Sequence, residues 1–302
     1  MQDANVILNQ YNHDLTRRLY TRNMRRCVKF CRENYNVKTF AECKSYIQAY
    51  SDYLQSQNYA ASTIHTYLAS VCSVYEVDMA SITKPVRHTA DFCRGRKAKL
   101  CCSANDLENP KWAYIVEFQR KVGIRRDELM RLEGRDFGYD ESGYPCVIVR
   151  RGKGGKMQYQ RIADEDIAFV KSYFDKVRKN ERIFDRKFFQ NDLNLHYLRA
   201  ACARRYYYTQ LEKLTHDPRY REQLIKEIHA RWTTMNYQKN GKAKPFNSRE
   251  CFGVYILRGK NRKLAIEKGL PLCYDKTALI SASIFKLSHW RNDVSIASYM
   301  LY

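Results

Sequence analysis

The chain has 302 residues, 44% of them hydrophobic, with 54 Lys and Arg against 32 Asp and Glu and a formal net charge of +22. That length and apolar content suit one large globular domain or two ordinary ones, and so large a positive excess repels itself unless a polyanion offsets it, which favours nucleic acid over an anionic membrane surface. The polar N-terminus does not read as a signal peptide, no apolar run reaches bilayer length, and the eleven cysteines form no C-x-x-C pair and no Cys/His cluster at zinc spacing. Reduced cysteines serving as small hydrophobes, in an intracellular protein with no structural metal, no cofactor and no membrane association, fit these absences.

Leu15 to Tyr35 reads as a helix studded with Arg17, Arg18, Arg22, Arg25, Arg26, Lys29 and Arg32, an excess of one sign that suits phosphate contact. Thr39 and Glu42 form a capping box ahead of Phe40, Tyr46, Ile47, Tyr50, Tyr53 and Leu54. Ser62 is placed to cap a further helix bearing Ile64, Tyr67, Leu68, Val71, Val74 and Tyr75. The pattern weakens between Arg87 and Lys99, where the basic run 93–99 marks a linker. Asn109-Pro110 then opens a helix that buries Trp112, Ile115, Val116 and Val122 and ends at Gly123, after which Arg125 starts another. Segments 146–151 and 156–162 are strand-like and flank Gly152-Lys153-Gly154-Gly155, the pattern of a β-hairpin. From Ile167 onward the period is helical, with an amphipathic candidate at 219–232 and a basic one at 255–269. The outline is a mainly α chain with a small antiparallel β-sheet: a helical domain at 1–95 and a second domain at 96–302.

Four segments carry groups suited to phosphate chemistry. They are VGIRRDEL at 122–129, RGKGGK at 151–156, HYLR at 196–199 and LSHWRNDVSIASY at 287–299. A nucleotide-binding P-loop is excluded, because no G-x-x-x-x-G-K-[ST] is present. Attack on a phosphodiester without a metal needs cationic donors around the nonbridging oxygens, and arginine holds phosphate in a bidentate way that lysine does not.

This set, in this order, resembles the tyrosine recombinase (phage integrase) family. Arg125 stands where the family has its first arginine, within a match to G-[LI]-R-x-x-E-L that includes Glu128 and Leu129. Lys153 matches the hairpin lysine, His196 and Arg199 the H-x-L-R box, Leu287-Ser288-His289 the L-G-H segment, and Tyr299 the nucleophile. The stretch 50–76 is similar to the family's core-binding domain. The resemblance implies a helical core-binding domain that clamps duplex DNA together with a tyrosine-recombinase catalytic domain. It further implies conservative site-specific recombination through a 3′-phosphotyrosine, integrating or excising a mobile element without metal, cofactor or ATP. In these roles Arg125 and Arg199 hold the phosphate, His196 and His289 add hydrogen bonds, Lys153 protonates the leaving oxygen and Glu128 supports the first arginine. A homo-tetramer on two paired sites, passing through a Holliday junction with accessory DNA-bending or excision factors, would be the working assembly. The setting would be a bacterial cytoplasm, on the nucleoid when DNA-bound.

The chain departs from the pattern in three places. Residues 211–270 form a long insertion, rich in Lys and Arg and expected to add DNA or protomer contacts. His289 to Tyr299 is one residue longer than the family step, which Trp290 to Tyr299 matches, so Trp290 stands as the alternative to His289. Only Met300, Leu301 and Tyr302 follow Tyr299, where family members carry a segment that packs on a neighbouring protomer; Tyr302 is the alternative nucleophile. A type IB topoisomerase-like enzyme and a catalytically silent DNA-binding regulator of the same fold remain the rival functions.

Overall fold

The computed structural model describes residues 9, 14–88, 107–189, 193–235, 238–239, 242–243 and 245–301. The expected linker run at 93–99 and Tyr302 lie outside these residues. The described residues are mainly helical with small antiparallel sheets, and the chain divides into two compact units, residues 1–92 and 93–302. Among the described residues no helix is long and apolar enough to cross a membrane, and no group of His, Cys, Asp or Glu could hold a metal ion.

In the first unit, α1 (Asp14–Tyr35), α2 (Ile47–Ser56) and α3 (Ala61–Tyr75) enclose a core containing Cys27, Cys31, Ile47, Tyr50, Leu68 and Val71. Thr39 and Glu42 do exchange hydrogen bonds, but the turns they open at Ala41–Tyr46 are 3-10 before α2 begins. Helix α3 starts one residue before Ser62, with Ala60 at its N-cap and no side-chain cap bond. All seven basic residues of α1 face solvent. Five of them, Arg18, Arg22, Arg25, Lys29 and Arg32, recur at steps of four and three and so form one stripe along the helix.

In the second unit the Asn109 side chain accepts the Lys111 N–H at 3.0 Å and caps a 3-10 turn, Pro110–Trp112. Helices α4 (Ala113–Val122), α5 (Arg126–Leu129) and α6 (Ile167–Asp175) and the start of α7 (Leu195–His216) share a core with the three-stranded sheet. That sheet runs β1 (Phe137–Tyr139), β2 (Pro145–Val149), β3 (Gln158–Arg161), all antiparallel, with Val147 opposite both Phe137 and Gln160. The hairpin glycines do link two strands, though both are shorter than the strand-like runs, and β1 was not legible.

Beyond α7 come α8 (Tyr220–Thr234), the short pair β4 (Gln238–Lys239) and β5 (Lys242–Ala243), then β6 (Val254–Ile256), α9 (Gly259–Glu267) and β7 (Cys273–Asp275). Helices α10 (Lys276–Phe285) and α11 (Asn292–Ser295) follow, and a π-helical turn at Ile296–Met300 closes the chain. Residues 255 and 256, expected in a helix, belong to β6, because β-branched Val254 and Ile256 pair with β7 after a left-handed Gly253 at φ 79°. The segment 211–270 is not a surface appendage. Leu224, Ile225 and Ile228 of α8, Leu257 and Ala265 all enter the core that holds Leu279, Phe285 and Met300.

Candidate active site

Three chain turns converge, and each has a local cause. Helix α4 ends because Gly123 adopts φ 71°; a Cβ there would also lie 2.9 Å from the Cβ of Cys202. Arg125 follows as the N-cap of α5, its N–H donating to Glu128 Oε2 at 3.0 Å in a capping box. The second turn is the start of α7, which carries His196 and Arg199 one helical turn apart. The third is the 286–289 segment, where Ser288 sits at φ 54°, a left-handed conformation that glycine adopts freely and serine at a cost of about 1 kcal/mol. Its hydroxyl donates to Gln160 Oε1 at 3.3 Å, which holds the turn.

These turns bring the two arginines onto one carbonyl. Arg199 donates from Nη1 to Gly123 O at 2.6 Å and from Nη2 to Leu287 O at 2.8 Å, while Arg125 Nη2 reaches the same Leu287 oxygen at 3.5 Å. Arg125 also donates to Glu128 Oε1 at 2.7 Å and to Gln158 Oε1 at 3.3 Å. Arg199 is 1% exposed, and its Nε is buried with no hydrogen-bond partner among the described residues. Burial pulls the Arg199 guanidinium below its ordinary pKa, nearby Tyr299 opposes this, and Arg125 adds to it. An anion placed here would relieve both the repulsion and the unpaired donor. Burial pushes the Glu128 carboxyl up, but Arg125 and Arg199 outweigh it and hold it below the usual carboxylate range.

Tyr299 lies against this pair. Its ring centroid is 5.9 Å from the Arg199 guanidinium carbon, 5.1 Å from the His196 ring and 6.0 Å from the His289 ring. It packs on Ala200, Ala203 and Leu287, and Arg204 Nη1 binds its backbone carbonyl at 2.7 Å. The chain around Tyr299 forms a π turn. Leu301 N–H bonds to Ile296 O at 2.9 Å, five residues back, so this turn holds one residue more than an α turn would.

Of the adjacent pair, His289 has its ring toward Tyr299, whereas Trp290 packs edge-on against Trp232 of α8 at 4.1 Å. Burial, reinforced by the charges of Arg199, Arg125 and Arg291, pushes the His289 imidazole down to about 3, so it is neutral near pH 7. Its Nδ1 accepts the Arg291 N–H at 3.3 Å, which assigns its proton to Nε2, a buried donor with no hydrogen-bond partner among the described residues. The unfolded chain binds a proton at His289 near pH 6.5 and the folded chain does not. Stability should therefore fall by up to about 1.4 kcal/mol per pH unit from 6.5 downward. His289→Gln should remove that slope in urea-unfolding series run between about pH 7 and about pH 5; equal slopes in the two proteins would rule the account out.

Lys153 is not among the convergent groups. It is exposed, in the turn Lys153–Gly155, and no hydrogen bond or ion pair joins it to the arginines among the described residues. The base of its hairpin is nevertheless tied to them. Gln158, five residues on, touches both Arg125 and Glu128, and a Cβ on Gly152 would fall 1.8 Å from Gln158 Nε2.

Two buried glutamines that were not singled out from the sequence position the turns. Gln119 donates to Ile124 O at 2.6 Å and Leu195 O at 3.0 Å and accepts the Ile124 N–H at 3.1 Å. Gln160 donates to Val122 O at 3.2 Å and to the Lys286 carbonyl. The available signal was placement: Gln119 shares the apolar face of Ile115 and Val122, and Gln160 alternates with Ile162. A polar side chain at a buried period is there to bind backbone. Comparison with protein-family models, with curated proteins and with solved structures gives no match for this chain.

Proposed function

We propose that this chain is a tyrosine recombinase that cleaves and rejoins duplex DNA through a 3′-phosphotyrosine, with a helical core-binding domain ahead of the catalytic domain. The observation that carries the reading is the meeting of Arg125 and Arg199 on the Leu287 carbonyl, with Tyr299, His196 and His289 around them. In the reaction, the scissile phosphate sits between the guanidiniums, and Arg199 Nε and His289 Nε2 supply the donors that charge on the nonbridging oxygens requires. His196 takes the phenolic proton as Tyr299 Oη attacks phosphorus. The P–O5′ bond breaks, and Lys153 protonates the leaving 5′ oxygen once its hairpin closes on DNA. The phosphotyrosine bond keeps the ester's energy, so a 5′ hydroxyl from another strand can reverse the step. In this reading four protomers act on two paired sites, passing through a Holliday junction, to move a mobile element.

The experiment is a set of nicked suicide duplexes drawn from the DNA flanking the gene. Wild type should form a covalent protein–DNA adduct and Tyr299→Phe should form none. An adduct that persists in Tyr299→Phe moves the nucleophile elsewhere, and no adduct from wild type on any duplex favours a silent regulator. Relaxation of supercoils on a single site would favour a topoisomerase.

A further inference from the structure

A second cluster of cations lines a groove that also takes in Glu128, the ion-pair partner of Arg125. The groove has a volume of about 420 Å³ and is floored by Leu132 and Val149. Five arginines line it, Arg131, Arg135, Arg150, Arg151 and Arg182, against three carboxylates, Glu128, Glu133 and Asp136. Each carboxylate lies in an ion pair: Glu128 with Arg125 at 2.7 Å, Glu133 with Arg135 at 2.8 Å (its buried Oε2 makes no hydrogen bond among the described residues) and Asp136 with Arg150 at 2.6 Å. Arg131, Arg151 and Arg182 have no carboxylate partner among the described residues; Arg131 is bound only to the Arg151 carbonyl, at 2.9 Å. The backbone seats them independently of their charges. Gly134 N–H bonds to Glu181 O and Ile183 N–H to Leu132 O, both at 3.0 Å, which lays Arg182 beside Glu133.

Three exposed guanidiniums held in one concavity without counter-charge repel one another, and an anion with several oxygens in line offsets this. We infer that this groove is a second phosphodiester-binding subsite, which takes backbone phosphates of the same duplex whose scissile phosphate lies at Arg125. The inference rests on the recombinase reading for the placement of that duplex. Two features favour DNA backbone over a lone small anion. Glu128 is shared by the groove and the Arg125 site, so both lie along one path, and each strand of a duplex presents a phosphate about every 3.4 Å of axis. Arg151 also stands two residues before Lys153, so the groove borders the hairpin that carries the lysine.

The test is the salt dependence of binding of the full chain to a short random-sequence duplex, which needs no knowledge of the recombination site. Arg151→Gln/Arg182→Gln removes two exposed side chains and no backbone bond. The control, Arg178→Gln/Arg219→Gln, makes the same charge change at positions 90% and 95% exposed and outside the groove. The slope of log K against log salt should become shallower by about 1.8 in the groove variant, the loss of two phosphate contacts, and by much less in the control. A groove variant with the wild-type slope, or with the same change as the control, overturns the subsite. Failure of the recombinase reading is separately visible, since a protein that forms no adduct in the suicide assay can still show or lack the slope change.

Discussion

Arg199→Lys should slow adduct formation by about 100- to 1,000-fold, the cost of removing a preorganised donor from a site of developing charge. The size follows from how the guanidinium is used. Nη1 and Nη2 are committed to the carbonyls of Gly123 and Leu287, which leaves Nε as the buried unpaired donor. An ammonium is a point charge and cannot bridge two carbonyls and a phosphate in one plane. Arg199→Ala should be worse for folding as well, by up to about 1–3 kcal/mol for each of two buried carbonyls left with only a 3.5 Å contact, Gly123 O to Gln160 and Leu287 O to Arg125. Single-turnover adduct rates on the suicide duplex, read beside urea midpoints, separate the two effects. A lysine variant as fast as wild type would remove Arg199 from the chemistry.

Arg231→Met should destabilise the second unit by about 3–5 kcal/mol, the usual result of leaving buried carboxylates without their cation. Arg231 is 0% exposed and binds Asp140 Oδ2 at 2.8 Å, Glu141 Oε1 at 2.6 Å and the Tyr159 carbonyl at 2.8 Å. Asp140 is shared with Arg161, which also holds Glu227 at 2.6 Å and lies 3.6 Å over the Phe285 ring. This network ties α8 to the sheet. The partly exposed Arg135–Glu133 pair should contribute at most about 1 kcal/mol. An unchanged urea midpoint for Arg231→Met would show that the network has no such role. Deleting 211–270 is therefore a poor test of DNA contact, since it removes Leu224, Ile228 and Arg231 from the interior.

Much of the local structure was legible because its causes are local. Asn109 caps the 3-10 turn Pro110–Trp112 that leads into α4, Gly123 terminates α4, and Glu128 lies three residues from the backbone N–H it accepts. His196 and Arg199 share a helix face by spacing alone. The misses were also local. Val254 and Ile256 carry the alternation of a strand whose partner is some twenty residues on, and Ser62 lost the cap because the helix began before it.

By itself, then, the sequence determined the mainly helical class, the hairpin and the order of the cationic groups, since these depend on residue type and on periods of 3.6 and 2. Only the tertiary structure decided that Tyr299 lies against Arg199, that His289 faces that tyrosine while Trp290 packs on Trp232, and that Arg231 is a core cation. Those outcomes depend on contacts such as Arg231 to Asp140, 91 residues apart, and Arg125 to Leu287, 162 apart. At such separations a side chain's surroundings are set by how whole elements pack, and chain spacing carries no record of them.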